Sequence, residues 1–188
     1  MREKIRALIY SVILKVRFPG IKTKGRQMIR IGTEIIIKEN GSLSVGDQVR
    51  TQKRVTFAVI KGKMTIGNRV SFNRNNIIVC HEEIQIGDHC AFGPNVVIYD
   101  HDHKFGTNGI AVNDFNTSPI IIDNNCWIGA NTVILRGTHI GEGCVIGAGS
   151  VIKGNIPPHT LVACDRSLSF QPITDSKRIY KDDERAEK

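Results

Sequence analysis

Between residues 122 and 157, aliphatic side chains return at every sixth position: Ile122, Ile128, Ile134, Ile140, Ile146 and Ile152. That beat is too long for a plain strand and too even for a helix. It fits a coil of three flat faces, each a short strand and a turn, in which about eighteen residues close one circuit and every sixth side chain points into a triangular interior. No single rung of such a coil buries its own apolar face; stacking makes the core.

The beat extends toward the N-terminus through the recurring signatures Val45-Gly46-Asp47, Ile66-Gly67-Asn68, Ile86-Gly87-Asp88, Ile122-Asp123-Asn124 and Ile140-Gly141-Glu142. Thr51, Phe57, Phe72, Ile78, Phe92 and Ile98 fall on interior positions between them. The spacing predicts an all-β solenoid over residues 21–163, with about six rungs whose regular beat begins near Ile31. At roughly 4.8 Å per rung the prism stands on the order of 30 Å tall. Cys90, Cys126 and Cys144 each follow a first-face aliphatic by four residues, as Val49 and Val70 do, and so stack in one interior column as small hydrophobes. No pair has the CxxC spacing of a zinc site, and no metal is expected.

Three segments depart from the beat. Residues 1–20 place Ile5, Leu8, Ile9, Val12 and Val16 at helical spacing, with basic residues largely elsewhere, until Pro19-Gly20 ends the pattern. This amphipathic helix either covers the first rung or lies on anionic lipid. After Ile98 the next first-face residue is delayed to Ile122, and residues 99–119 form a polar excursion carrying His101 and His103. Long excursions from rigid scaffolds are common places for chemistry. Residues 164–188 read as a short charged tail.

Composition agrees with one domain: 188 residues, 40% hydrophobic, and 18 glycines for a chain that turns often. The net charge of +8 is confined to residues 1–30, where nine Lys or Arg face Glu3 alone; beyond them 17 basic and 17 acidic side chains balance. No run reaches the length of a transmembrane helix. With five cysteines and no secretion signal, the chain reads as cytoplasmic, with peripheral contact at the inner face of the membrane through residues 1–20, and as no partner of nucleic acid. The segment Asn73-Arg74-Asn75-Asn76 is read either as polar side chains presented to a groove or as a plain coil corner.

The repeats IGANTV and IGAGSV, the loop histidines and Ile156-Pro157-Pro158 resemble the left-handed parallel β-helix, hexapeptide-repeat acyltransferases. The similarity is to their galactoside, maltose and capsular polysaccharide O-acetyltransferase branch and covers roughly residues 60–163. The resemblance, not the spacing, implies the left hand and a homotrimer with each active site between two coils. It implies acetyl-CoA as donor, a sugar or glycan hydroxyl as acceptor, and no metal. The family's catalytic histidine lies 24 residues before the tryptophan of an N-x-W-I-G-type segment. Here Trp127 points back to His103, with His101 the alternative if the loop shifts by two residues. By the same resemblance Asn73 contacts the acceptor, Ala130 and Ala148 let the pantetheine arm approach the backbone, and Trp127 lines the cleft. The family's G-x-P-[AC]-[KR]-type segment is replaced by Ala163-Cys164-Asp165-Arg166, which leaves Lys153, Arg166, Lys177 and Arg178 as candidates for the coenzyme A phosphates.

The chemistry suits these residue types. A sugar hydroxyl is a weak nucleophile, and an imidazole can take its proton as the oxygen attacks the thioester. A backbone N–H near Ala130 serves the oxyanion. Asp100 and Asp102 either orient the imidazole or are simply solvated. An N-acyltransferase acting on an amino-sugar nucleotide and a γ-type carbonic anhydrase are the alternative readings.

Overall fold

The structure, a computed structural model, describes residue 13 and residues 20–30, 32–107 and 109–164. Apart from Ile13 and Gly20, the amphipathic helix expected over 1–20 lies outside these residues, as do the tail candidates Arg166, Lys177 and Arg178. The rest is a parallel three-sided coil with one antiparallel appendage. Sheet A stacks seven strands: Ile21–Thr23, Ser42–Val45, Lys63–Ile66, Glu83–Ile86, Ile120–Ile122, His139–Ile140 and Asn155–Ile156. Sheet B stacks six: Arg50–Thr51, Ser71–Phe72, Ala91–Phe92, Trp127–Ile128, Val145–Ile146 and Leu161–Val162. Sheet C stacks six: Glu34–Ile37, Thr56–Val59, Ile77–Cys80, Val97–Tyr99, Val133–Leu135 and Val151–Ile152.

The first strand lies some ten residues earlier than the regular beat, because Ile21 pairs with Leu43 and closes the interior below it. Aliphatic and aromatic side chains fill that interior in vertical columns. Phe57, Phe72 and Phe92 run through its middle, the first pair edge to face at 5.1 Å and the second stacked at 4.7 Å. Val49, Val70, Cys90, Cys126 and Cys144 form the predicted column, all at most 1% exposed. Each thiol donates to a carbonyl of the next rung, Cys90 to Asp123 and Cys126 to Gly141. The hydrogen bond to Cys126 and then burial push the Cys90 thiol up, and burial and then the nearby Asp100 carboxylate push up that of Cys80, so neither is a thiolate near neutral pH.

The outer faces differ. Sheet A turns Lys22, Ser44, Lys63, Thr65, Gln85 and Asn155 outward, whereas sheet C turns out Ile36, Val79, Val97, Tyr99, Val133 and Leu135. Between Tyr99 and Ile120 the chain leaves the coil as a β-hairpin, His101–Gly106 against Gly109–Thr117, and returns with Ile120 on Ile84 in the register of sheet A. The sequence predicts this excursion but not its strands. They are held by the hairpin ladder, a Lys104–Asp114 ion pair at 2.8 Å and Phe115 rather than by an alternating apolar face.

Candidate active site

Two edges of sheet C carry the chemistry-bearing residues. At its C-terminal edge, the edge shared with sheet A, Tyr99 is followed by Asp100, which turns inward into the column begun by Val59 and Cys80 and is 0% exposed. A buried carboxylate must be satisfied by donors. Asp100 accepts the His81 N–H at 2.8 and 3.1 Å and the Glu82 N–H at 2.8 Å. Its Oδ1 lies 3.3 Å from Nδ1 of His101, whose side chain is 13% exposed. With the proton on Nδ1 donated to Asp100, Nε2 of His101 is the acceptor nitrogen. The His101 ring stacks on His81 at 3.9 Å and meets Phe115 edge-on at 5.3 Å. Burial, then the neighbouring His101, hold the His81 pKa below its ordinary value, which keeps that ring neutral beside any charge on His101.

His103 lies two residues farther along the hairpin. It is exposed, packs on Phe115 at 4.7 Å and has no carboxylate partner among the described residues. Asp102 faces the coil and pairs with Arg136. Of the two aspartates weighed as orienting groups or solvated loop residues, Asp100 is thus an interior anchor and Asp102 a strut fixing the hairpin. Sequence reasoning missed His81 as a site residue, although it lies 20 residues before His101, one early rung, and so stacks directly beneath it.

The other edge is the B–C corner. There Asn73, Gly93, Gly129 and Gly147 form one column, tied by Asn73 N–H to Phe92 O, Gly93 N–H to Ile128 O and Gly129 N–H to Ile146 O. Lys53, Arg74, Pro94, Ala130 and Ala148 form the next column outward. A Cβ on Gly129 would stand 2.5 Å from Ala148 N, so the rungs at this corner touch through backbone alone. Ala148 is exposed and Ala130 half-buried, and neither N–H has an acceptor among the described residues. Trp127, 58% exposed, stands on the adjoining face of sheet B.

Asn73 is exposed and its Oδ1 accepts the Arg74 N–H; Asn76, by contrast, is buried and its Oδ1 accepts the Val96 N–H, a corner role rather than a groove one. Lys153 follows the last strand of sheet C on the edge of His101, across the sheet from Ala130 and Ala148. Asn73, Trp127, Ala130 and Ala148 therefore share one corner, and His101, His103 and Lys153 share the other. Six residues of extended chain, roughly 20 Å, separate Asn95 from His101. Among the described residues there is no group of three His, Cys, Asp or Glu placed to hold a metal ion.

Residues 119–154 match the family described as bacterial transferase hexapeptide (six repeats). Galactoside O-acetyltransferase of Escherichia coli is 33% identical over 151 residues, covering 78% of this chain and 71% of that protein. The chain belongs to the hexapeptide-repeat acyltransferases, whose coil is the left-handed parallel β-helix. A probable acetyltransferase of Mycobacterium tuberculosis is 32% identical over 167 residues, covering 84% of this chain, which spans 56% of that longer relative. Among solved structures, an N-acyltransferase of Bacillus cereus crystallised with a dTDP-amino sugar and coenzyme A shares the fold at a TM-score of 0.65 and 21% identity, covering 81% of this chain and 82% of its own. This hexapeptide-repeat chain has no helix among its described residues long and apolar enough to cross a membrane.

Proposed function

We propose that this protein transfers the acetyl group of acetyl-CoA to a hydroxyl of a sugar or glycan, as a homotrimer, with His101 as general base. The observation that carries the reading is the buried Asp100 carboxylate against Nδ1 of His101. It fixes tautomer and ring, so Nε2 is poised to take the hydroxyl proton as the oxygen attacks the thioester carbonyl. His103 is the alternative base that the family spacing implies, and its solvent-exposed ring lacks that anchor. The open N–H groups of Ala130 and Ala148 suit the amide-bearing arm of coenzyme A and the oxyanion.

The roughly 20 Å between those amides and His101 is too far for one carbonyl to meet both in a single copy. The apolar outer face of sheet C supports the homotrimer reading, because a neighbour packed there would set its own corner opposite His101. Head-to-tail contacts of this kind close into rings. Basic residues 1–20 fit a peripheral role on anionic membrane beside a lipid-linked acceptor, with the coil in the cytoplasm.

Thiol release from acetyl-CoA over a panel of sugar acceptors tests the reaction. His101→Ala is expected to lose about 10²- to 10⁴-fold in turnover while remaining trimeric by sedimentation, and His103→Ala to lose far less. The reverse order would return the base to His103. Transfer only to amino sugars would make the protein an N-acyltransferase. Vesicle co-sedimentation with and without residues 1–20 tests the membrane contact.

A further inference from the structure

From residue 48 to residue 81 the chain contains no Asp or Glu and seven cations: Arg50, Lys53, Arg54, Lys61, Lys63, Arg69 and Arg74. The coil sorts them. Lys63 is carried to sheet A, 3.6 Å from Glu83, Arg69 to the A–B corner beside Asp88, and Lys61 to the C–A corner. Arg50, Lys53, Arg54 and Arg74 all fall on the outer face of sheet B or on the B–C corner. All four are exposed and none forms an ion pair among the described residues.

Their stacking is defined by the backbone. Asn75 N–H donates to Lys53 O at 3.2 Å and Asn95 N–H to Arg74 O at 2.9 Å, which puts Lys53 directly below Arg74 and Arg74 directly below Pro94, Ala130 and Ala148. Cations on successive rungs, roughly 4.8 Å apart, repel one another. Elsewhere the coil avoids this: the A–B corner sets Asn68 between Asp47 and Asp88. The level of reaction is the rung of Asp100 and His101, which is also that of Pro94. The open amides lie above that level and the cations below it. In a ring of copies whose axis follows the coil, equal rungs stand at equal heights, so this order holds across the interface as well.

We infer that the lower B–C corner, with Lys53, Arg54 and Arg74, binds an anionic group on the acceptor, a phosphate or a sugar carboxylate next to the hydroxyl-bearing unit. Arginine forks and a lysine ammonium suit either anion. The inference rests on the proposed reaction, with the donor arm along Ala130 and Ala148.

The test uses the full-length protein, acetyl-CoA, and three acceptors of one sugar: methyl galactoside, galactose 1-phosphate and galacturonate. Calorimetric titration of the same three compounds without acetyl-CoA runs in parallel. The expected result is a kcat/KM at least about tenfold higher for an anionic acceptor than for the neutral one, falling with added salt. Lys53→Ala with Arg74→Ala should abolish the preference through the KM of the acceptor, leaving the KM of acetyl-CoA and turnover of methyl galactoside unchanged; Lys22→Ala on sheet A should change nothing. If phosphate is the anion, galactose 1-phosphate leads; if carboxylate, galacturonate does. Equal use of all three acceptors would overturn the inference. So would a raised KM for acetyl-CoA, which would assign the cations to the donor, or loss of sedimentation with anionic vesicles at unchanged acceptor KM, which would assign them to a lipid surface. Absence of any transfer would sink the proposed reaction, and the titrations would then decide the anion site alone: binding of an anionic sugar that the double variant lacks supports it, and equal binding of the neutral sugar refutes it.

Discussion

The A–B and B–C corners are built on the same turn, with a residue at positive φ in rung after rung: Gln48, Arg69, His89 and Asn125 at one, Arg54, Asn75, Asn95 and Asn131 at the other. They differ in what meets the amide just before that residue. At the A–B corner the side chain one rung above closes it: Asp47 N–H donates to Asn68 Oδ1 at 2.9 Å, Asn68 N–H to Asp88 Oδ1 at 2.7 Å and Asp88 N–H to Asn124 Oδ1 at 2.7 Å. At the B–C corner the equivalent positions in the upper rungs are Ala130 and Ala148, which have no side-chain acceptor to offer. One corner is sealed by its own side chains and is structural. In its upper rungs the other keeps the same donors available to a ligand, because Ala stands there in place of Asp or Asn.

The largest effect should come from converting the second corner into the first. Ala148→Asp sets an acceptor over the Ala130 N–H, places a carboxylate where the donor arm is proposed to run, and should lower kcat/KM for acetyl-CoA by about 100-fold, roughly 3 kcal/mol, with a native circular dichroism spectrum. A spectrum-neutral variant with unchanged kcat/KM would remove acetyl-CoA from this corner. Next, Gly129→Ala drives a Cβ to 2.5 Å from Ala148 N and should cost about 1–3 kcal/mol in denaturant unfolding. A smaller loss should follow Asn124→Ala, which leaves Asp88 N–H without its acceptor: about 1 kcal/mol of stability, with transfer activity untouched.

The smallest effect is in acid. The backbone N–H of Arg26 holds the Asp47 carboxyl below its ordinary range, and the backbone and side-chain amides of Asn68 do the same for Asp88. Because the folded pKa lies below the unfolded one, this stabilisation is present above the unfolded value near 3.8 and is lost as pH falls through the folded one. Replacing both by Asn should flatten the acid limb of a pH–melting curve and leave its neutral plateau in place.

Much of this was legible beforehand because the period of six acts directly on burial. The isoleucines, the phenylalanine stack and the cysteine column occupy the interior positions that counting assigns them. What counting missed lies where chain length stops setting position. His101 and His103 are neighbours in sequence, and only the inward turn of Asp100 separates an anchored ring from an exposed one. The stacking of His81 on His101 needs the early rung of 20 residues rather than the ideal circuit of about eighteen. The overall charge balance beyond residue 30 likewise concealed Arg50, Lys53, Arg54 and Arg74, because none of the balancing carboxylates pairs with them among the described residues.

The hairpin leaves sheet C at Tyr99, and the coil resumes with Ile120 seated on Ile84 in unbroken register. The strand lattice is therefore indifferent to how many residues are spent in between. Trimming or extending the tip at Gly106 and Gly109, where added Cβ atoms would meet nothing within 4 Å, leaves the scaffold intact and changes only the rim that an incoming molecule must pass. Selectivity can thus drift by insertion and deletion at one point, while the architecture that holds the imidazole is inherited unchanged.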